Sequence, residues 1–329
     1  MDILYLILGL VFAVYGAQFL VDGGSAVARR FNIPTLVIGS TVVAFGTSMP
    51  EFTVNMHSAL SGKTDLAMGN ILGSNLFNIC IVLGIVCLIS PLAIKKDSAS
   101  KDFPMCLIAA IMVGVAGNQL YLDKINFHEL MLSDGIVFLL FFAIFMYYIY
   151  NEAASGAAHQ QAAGAGSSGS SEETGKEKTI SPLKSIVYIV LGLAGLVFGG
   201  EFIVDGATGL AKNFGLSERV IGLLIVGPGT SFPELIASIV AARKGSADMV
   251  VGNVLGSNIF NIFFTLGATS LIHPVPLDLA LNVVILVNIA VTFFLVMFAW
   301  FSRNKQMGRG IGSFLVLSYA AYIVYALMS

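Results

Sequence analysis

Charge is what this sequence has least of. Only 11% of its 329 residues are Asp, Glu, Lys or Arg, while 57% are hydrophobic. A soluble domain carries about a quarter charged residues, so the composition excludes one and describes a polytopic membrane protein. The charges nearly cancel, at −2, which excludes the basic footprint of a nucleic-acid partner. Cysteine is scarce as well. Cys80, Cys87 and Cys106 lie in apolar runs without the spacing of a disulfide framework or a zinc site, and are expected as buried thiols. There are four histidines. His128, His159 and His273 fall in connections. His57 follows Glu51 by six residues and points away from it on a helix, as a packing or gating residue. An intramembrane hydrolase would need a nucleophile–base pair or a metal-assisted acid pair, and no histidine stands near enough to supply the base. The chain is not expected to be an enzyme. A basic n-region before the first apolar run is also missing, so no cleavable signal peptide is expected.

What the sequence does have is an internal repeat. Gly39 to Asn55 reads GSTVVAFGTSMPEFTVN, and Gly222 to Ser238 reads GLLIVGPGTSFPELIAS. The shared Gly-Thr-Ser-x-Pro-Glu recurs at an offset of 183 residues, and so do Asp22/Asp205, Gly69/Gly252, Ser74/Ser257 and Asn78/Asn261. Tyr15–Gly84 aligns with Phe198–Gly267 without a gap, with 30 of 70 positions identical. Apolar composition alone would not single out the polar residues, so the chain is read as a duplication.

Each membrane span needs about 20 apolar residues. Ten are expected, over 2–27, 34–60, 66–90, 103–121, 132–151, 183–211, 218–242, 248–271, 279–301 and 310–328. With the N-terminus outside, the inner connections hold 13 Lys and Arg and the outer ones 4, which favours both termini outside. Five spans per repeat is odd, so the second repeat enters from the opposite face. Inverted repeats of this kind mark secondary transporters, with a binding site near the midplane. The expected organisation is a first repeat over 1–150, a disordered cytoplasmic linker over 151–181, and a second repeat over 182–329. The linker is rich in Ala, Gly, Ser and Glu and cannot bury a core.

Glu51 and Glu234 fall mid-span, where an ionised carboxylate costs roughly 2.5 kcal/mol or more and is by default functional. Pro50 cannot donate to the carbonyl of Gly46, nor Pro233 to that of Gly229, so each span should break into two half-helices. Ser48-Met49-Pro50-Glu51 and Ser231-Phe232-Pro233-Glu234 fit a capping box for the second half-helix. Asn70, Ser74 and Asn78 share one helical face, as do Asn253, Ser257 and Asn261. The deeper Ser74, Asn78, Ser257 and Asn261 are candidate ligands. Asn70, Asn75, Asn253 and Asn258 divide evenly between ligation and helix packing. Asp22 and Asp205 sit near span ends, and Glu201, which aligns with Gln18, is expected to make a structural hydrogen bond. Carboxylate, hydroxyl, amide and freed carbonyl oxygens suit a hard cation such as Ca²⁺, which takes six to eight oxygens. The same oxygens could hold Na⁺.

These motifs, G-T-S-x-P-E and G-N-x-x-G-S-N-x-F-N in both halves, resemble the cation/calcium exchanger superfamily, and most closely its prokaryotic sodium/calcium exchangers. The resemblance covers nearly the whole chain. It implies an all-α protein of ten transmembrane helices in two inverted five-helix repeats, broken at midplane. It also implies a calcium/sodium antiporter of the cell membrane working by alternating access. It implies Glu51 and Glu234 as Ca²⁺ ligands and Thr47, Ser48, Thr230 and Ser231 at shared cation sites. It implies Ser74 and Ser257 as Na⁺ ligands, Asn78 as a central ligand, and the carbonyl of Ala44 as a Na⁺ ligand matched by Gly227. Ca²⁺ and Na⁺ are then transported substrates, the lipid bilayer is the surrounding partner, and no cofactor is implied. Two positions depart from the pattern. Many sodium/calcium exchangers carry Asp where this chain has Asn261, which keeps H⁺/Ca²⁺ exchange open as the alternative. Val226-Gly227-Pro228-Gly229 replaces the Val43-Ala44-Phe45-Gly46 type of sequence, and Pro228 frees the carbonyl of Leu224.

Overall fold

In lipid every backbone N–H and C=O needs a partner within the protein, and a helix supplies them within one segment. The computed structural model, which describes residues 1–62, 64, 67–118, 129–165, 181–215, 225, 227–302 and 304–328, is accordingly helical almost throughout. The first half contains α1 (Asp2–Phe31), α2 (Thr35–Thr47), α3 (Met49–Leu60), α4 (Ala67–Ile89), α5 (Ser98–Gly117) and α6 (Leu132–Ala165). The second contains α7 (Pro182–Asn213), α8 (Gly227–Gly229), α9 (Phe232–Arg243), α10 (Ala247–Ile272), α11 (Leu279–Phe301) and α12 (Arg309–Met328). Among the described residues eight of these helices are long and apolar enough to cross a membrane; α2, α3, α8 and α9 are the exceptions.

The exceptions arise where the prolines were expected to break a span. Between α2 and α3, Ser48 leaves helical geometry at φ −86° and ψ 7°, and Ser231 does the same before α9 at φ −92° and ψ 5°. Pro50 and Pro233 then stand in the first turn of α3 and α9, where a missing N–H costs nothing and the fixed φ suits the helix. Four helices also contain π turns among the described residues, at Gly39–Val43, Asn78–Val82, Ser98–Asp102 and Phe260–Leu266. Such turns are frequent at functional sites.

One expectation is corrected. The segment from residue 151, expected to be a disordered linker, continues α6 as helix through Ala165. Its Ala, Glu and Gln are good helix formers, and a helix already nucleated by the preceding span extends at little cost. Residues 166–180, the rest of the expected linker, lie outside the described residues.

The two halves are closely joined. α1 and α7 lie against each other, and glycines set their approach. A methyl group on Gly16 would stand 2.8 Å from the backbone of Gly192 and Leu196, and one on Gly192 would stand 2.5 Å from the Leu20 nitrogen. Small residues allow such contact between membrane helices. The centre belongs to α4 and α10, whose most apolar stretches are 78% and 94% buried, against 28% for α1 and α7. Two short antiparallel pairs tie the halves at their edges. Leu92–Ala93 (β1) and Glu129–Leu130 (β2) pair with Gln306–Met307 (β4) and Val275–Pro276 (β3), in the order β1-β4 and β2-β3. Lys244, just after α9, reaches across to α1. Its Nζ lies 2.6 Å from Asp22 Oδ1 and donates to the Gln18 carbonyl at 3.3 Å. Cys80, Cys87 and Cys106 are buried free thiols, as expected.

Candidate functional site

The helix breaks and the two central helices meet at one buried cluster. Thr47, Ser48, Glu51, Ser74, Asn78, Ser231, Glu234, Ser257 and Asn261 are all fully buried. The break places Ser48 and Ser231 at the heads of α3 and α9, yet neither side chain caps its helix. The capping-box expectation is therefore corrected. Ser48 Oγ donates instead to Glu234 Oε1 at 2.8 Å, and Ser231 Oγ to Glu51 Oε1 at 3.0 Å. Each half's serine serves the other half's carboxylate. A hydrogen bond to a charged acceptor is worth about 1.5–3 kcal/mol, more than a neutral cap, so the carboxylate wins the hydroxyl.

The remaining hydroxyls close around the same pair. Ser257 Oγ lies 3.4 Å from both Glu234 Oε1 and the Ala44 carbonyl. Ser74 Oγ and Thr230 Oγ1 are 3.3 Å apart. Thr47 Oγ1 has three acceptors within reach, the carbonyls of Val43 and Ala44 and Asn253 Oδ1. It has a single proton for them and keeps lone pairs free. The amides cross the same axis. Asn78 Nδ2 donates to Asn258 Oδ1 at 3.2 Å, and Asn261 Nδ2 to Asn75 Oδ1 at 3.0 Å.

Of the nine buried side-chain oxygens without a hydrogen-bond partner among the described residues, four belong to this cluster: Glu51 Oε2, Glu234 Oε2, Asn78 Oδ1 and Asn261 Oδ1. They form two matched pairs, one from each half. Buried acceptors are otherwise almost always satisfied, and burying an unpaired carboxylate costs several kcal/mol. A set of inward oxygens of this kind suits a cation held by oxygen alone. Among the described residues no grouping of three or more His, Cys, Asp or Glu is placed to hold a metal ion, so the donors are two carboxylates supplemented by amide, hydroxyl and carbonyl oxygens.

The sequence named most of this cluster. The structure brings Glu51, Glu234, Thr47, Thr230, Ser48, Ser231, Ser74, Ser257, Asn78, Asn261 and Ala44 into it or against it. Gly227 begins α8 on the same broken segment, while Leu224, whose carbonyl Pro228 was expected to free, lies outside the described residues. Glu201 is a correction: it is exposed on α7, and no hydrogen bond holds it among the described residues. With Asp205 and Thr230 it lines a cavity of about 300 Å³ that also touches Pro50 and Pro233. Outward exposure on a long helix replaced the buried contact expected from its mid-span position. Sequence reasoning missed two supports. Asn253 Nδ2 donates to Ser238 Oγ at 3.0 Å, and Asn70 Nδ2 to Asn55 Oδ1 at 2.9 Å. Asn55 and Ser238 align at the repeat offset; both are polar but not identical, so the signal was there.

Comparisons with known proteins place the chain in a family. The profile of the family described as sodium/calcium exchanger protein matches residues 1–151 and 184–328. The inner membrane protein YrbG of Escherichia coli is 37% identical, over 98% of this chain and 95% of that protein. The sodium/calcium exchanger MaX1 of Methanosarcina acetivorans is 31% identical, over 98% and 97%. A solved structure of the sodium-calcium exchanger NCX_Mj, soaked with 10 mM Na⁺ and zero Ca²⁺, superposes with a TM-score of 0.80 at 32% identity, covering 98% of both chains.

Proposed function

Because the chain belongs to the sodium/calcium exchanger family, we propose that it is a secondary antiporter that exchanges Na⁺ for Ca²⁺ across the membrane by alternating access. It is a multi-pass membrane transporter, not an enzyme. The observation that carries the proposal is the set of four buried, unpartnered oxygens on Glu51, Glu234, Asn78 and Asn261. Two carboxylates neutralise one Ca²⁺, and the two amide oxygens add to the six to eight that Ca²⁺ takes. Thr47, Thr230, Ser48, Ser231, Ser74, Ser257 and the carbonyls of Ala44 and Gly227 complete the cation sites, with Na⁺ at the hydroxyl and carbonyl oxygens. If three Na⁺ replace one Ca²⁺, the load differs by one charge and the cycle is electrogenic.

The architecture of this reading is ten spans in two inverted repeats, residues 1–150 and 182–329. Supporting it, the crossed bonds Ser48–Glu234 and Ser231–Glu51 interchange under the 183-residue offset, as do the bonds of Asn75 and Asn258 to each other's carbonyls. Both termini face outward, and the connection after α6 lies in the cytoplasm of a cell whose plasma or inner membrane holds the protein. Ca²⁺, Na⁺ and lipid are the only partners this reading needs.

The test is uptake of radiolabelled Ca²⁺ into proteoliposomes loaded with Na⁺, beside vesicles carrying only an outward proton gradient, each with E51Q as control. Uptake driven by Na⁺ and lost in E51Q is the expected result. Uptake driven by the proton gradient alone would overturn the Na⁺ coupling and make the chain an H⁺/Ca²⁺ exchanger.

A further inference from the structure

Two asparagines beside the candidate ligands have both ends of their amides engaged in hydrogen bonds, and the geometry constrains what their neighbours can present. Asn75 and Asn258 are 1% exposed. Asn258 Nδ2 donates to the backbone carbonyl of Asn75 at 3.0 Å, and Asn75 Nδ2 to the carbonyl of Asn258 at 3.1 Å. An amide side chain can be turned end for end when its partners are ambiguous. Here they are not. A backbone carbonyl only accepts, so each of these amides must offer it the NH₂ end. The oxygen of Asn258 therefore faces Asn78, and that of Asn75 faces Asn261. An oxygen demands a donor, so Asn78 and Asn261 must turn their own NH₂ groups toward it, at 3.2 Å and 3.0 Å. Their oxygens are left facing the other way, buried and unpartnered.

We infer that Asn75 and Asn258 are positioning residues, which anchor on each other's backbone carbonyls and so force Asn261 and Asn78 to present oxygen rather than NH₂ to the transported cation. The relay crosses between the halves in both directions: Asn258 of α10 sets Asn78 of α4, and Asn75 of α4 sets Asn261 of α10. Without it an amide is free to flip, and a flipped amide offers a cation two hydrogens in place of a lone pair. Losing a buried, oriented hydrogen bond of this kind weakens affinity by about five-fold to about a hundred-fold. The inference rests on the cation-binding reading of the site.

The experiment is calorimetric Ca²⁺ binding to the purified full chain in lipid nanodiscs, with N258A, N75A, N78A, N261A and their pairwise combinations. N258A and N75A should each weaken binding by about ten-fold. N258A should add little to N78A and its full effect to N261A; N75A should show the opposite pattern. A merely structural role would couple each anchor equally to both ligands, and equal coupling, or wild-type affinity in N258A and N75A, overturns the inference. If an alanine variant does not fold, N258S and N75S remove the amide with less loss of volume and are read by the same pattern. Failure of the underlying reading looks different: wild-type protein would bind no Ca²⁺, or would bind it unchanged in E51Q.

Discussion

At the scale of single residues, the site is made of side chains that take their partners from the other half of the chain. Ser48 and Ser231 could each have capped its own helix, and each goes to the opposite carboxylate instead. S48A and S231A should therefore weaken Ca²⁺ half-saturation in the same direction and by similar factors, about ten-fold each. That is the low end of what a hydrogen bond to a charged group contributes. Parallel measurement of the two variants in Ca²⁺ uptake checks this, and an effect confined to one would refute the matched roles. Glu51 and Glu234 were readable in the sequence because a carboxylate in an apolar run has no cheap explanation. Which serine serves which carboxylate was not, because the pairs lie 180 and 186 residues apart and no local rule connects them.

At the scale of elements, two features decide the shape: broken helices that deliver backbone and side-chain oxygens, and a glycine contact that lets α1 and α7 lie together. The first was readable, since Pro50 and Pro233 follow Thr-Ser in both halves. The second was not, because a glycine in a span reads the same whether it faces lipid or a neighbouring backbone. At Gly192 the structure leaves no room, with Leu20 nitrogen 2.5 Å from where a side chain would begin. G192L should destabilise the protein by about 1–3 kcal/mol, the usual cost of overpacking, and separate α1 from α7. A fall in thermal unfolding temperature in detergent, with loss of Ca²⁺ uptake, is the expected result; G195L is no substitute test, since it meets the same seam. The helical continuation of α6 to Ala165 belongs here too. Composition suggested a polar spacer, but helix propagation from an existing span overrode it.

At the scale of the whole molecule, the two ends of the site differ. On one side Lys244 ties α9 to α1 through Asp22 and Gln18. The repeat mates of those residues are Ser61, Asp205 and Glu201, and a serine in the place of Lys244 cannot form the same ion pair. There, Glu201, Asp205 and Val204 line the cavity that reaches Thr230. V204C should be labelled by a membrane-impermeant thiol reagent added from outside, with little background, since the native cysteines are buried. Adding K244A should slow that labelling by at most about five-fold, because a partly exposed ion pair contributes about 0–1 kcal/mol. Labelling that is unreactive from outside, or faster with K244A, would contradict a Lys244 tie that favours the open cavity.

The sequence by itself determined that this is a membrane protein, that one polar motif recurs in it at a constant offset, and which polar residues are candidates for the site. Apolar run length, a constant offset and the cost of buried charge are all one-dimensional signals. Only the tertiary structure decided the partners: serines crossed between halves, amides anchored on opposite carbonyls, and an ion pair from Lys244 to Asp22 that joins the two halves. Those contacts join residues far apart in the chain, where the deciding quantity is which donor meets which acceptor once two halves with matching motifs interlock. Sequence periodicity specifies each half's face but not the face it meets.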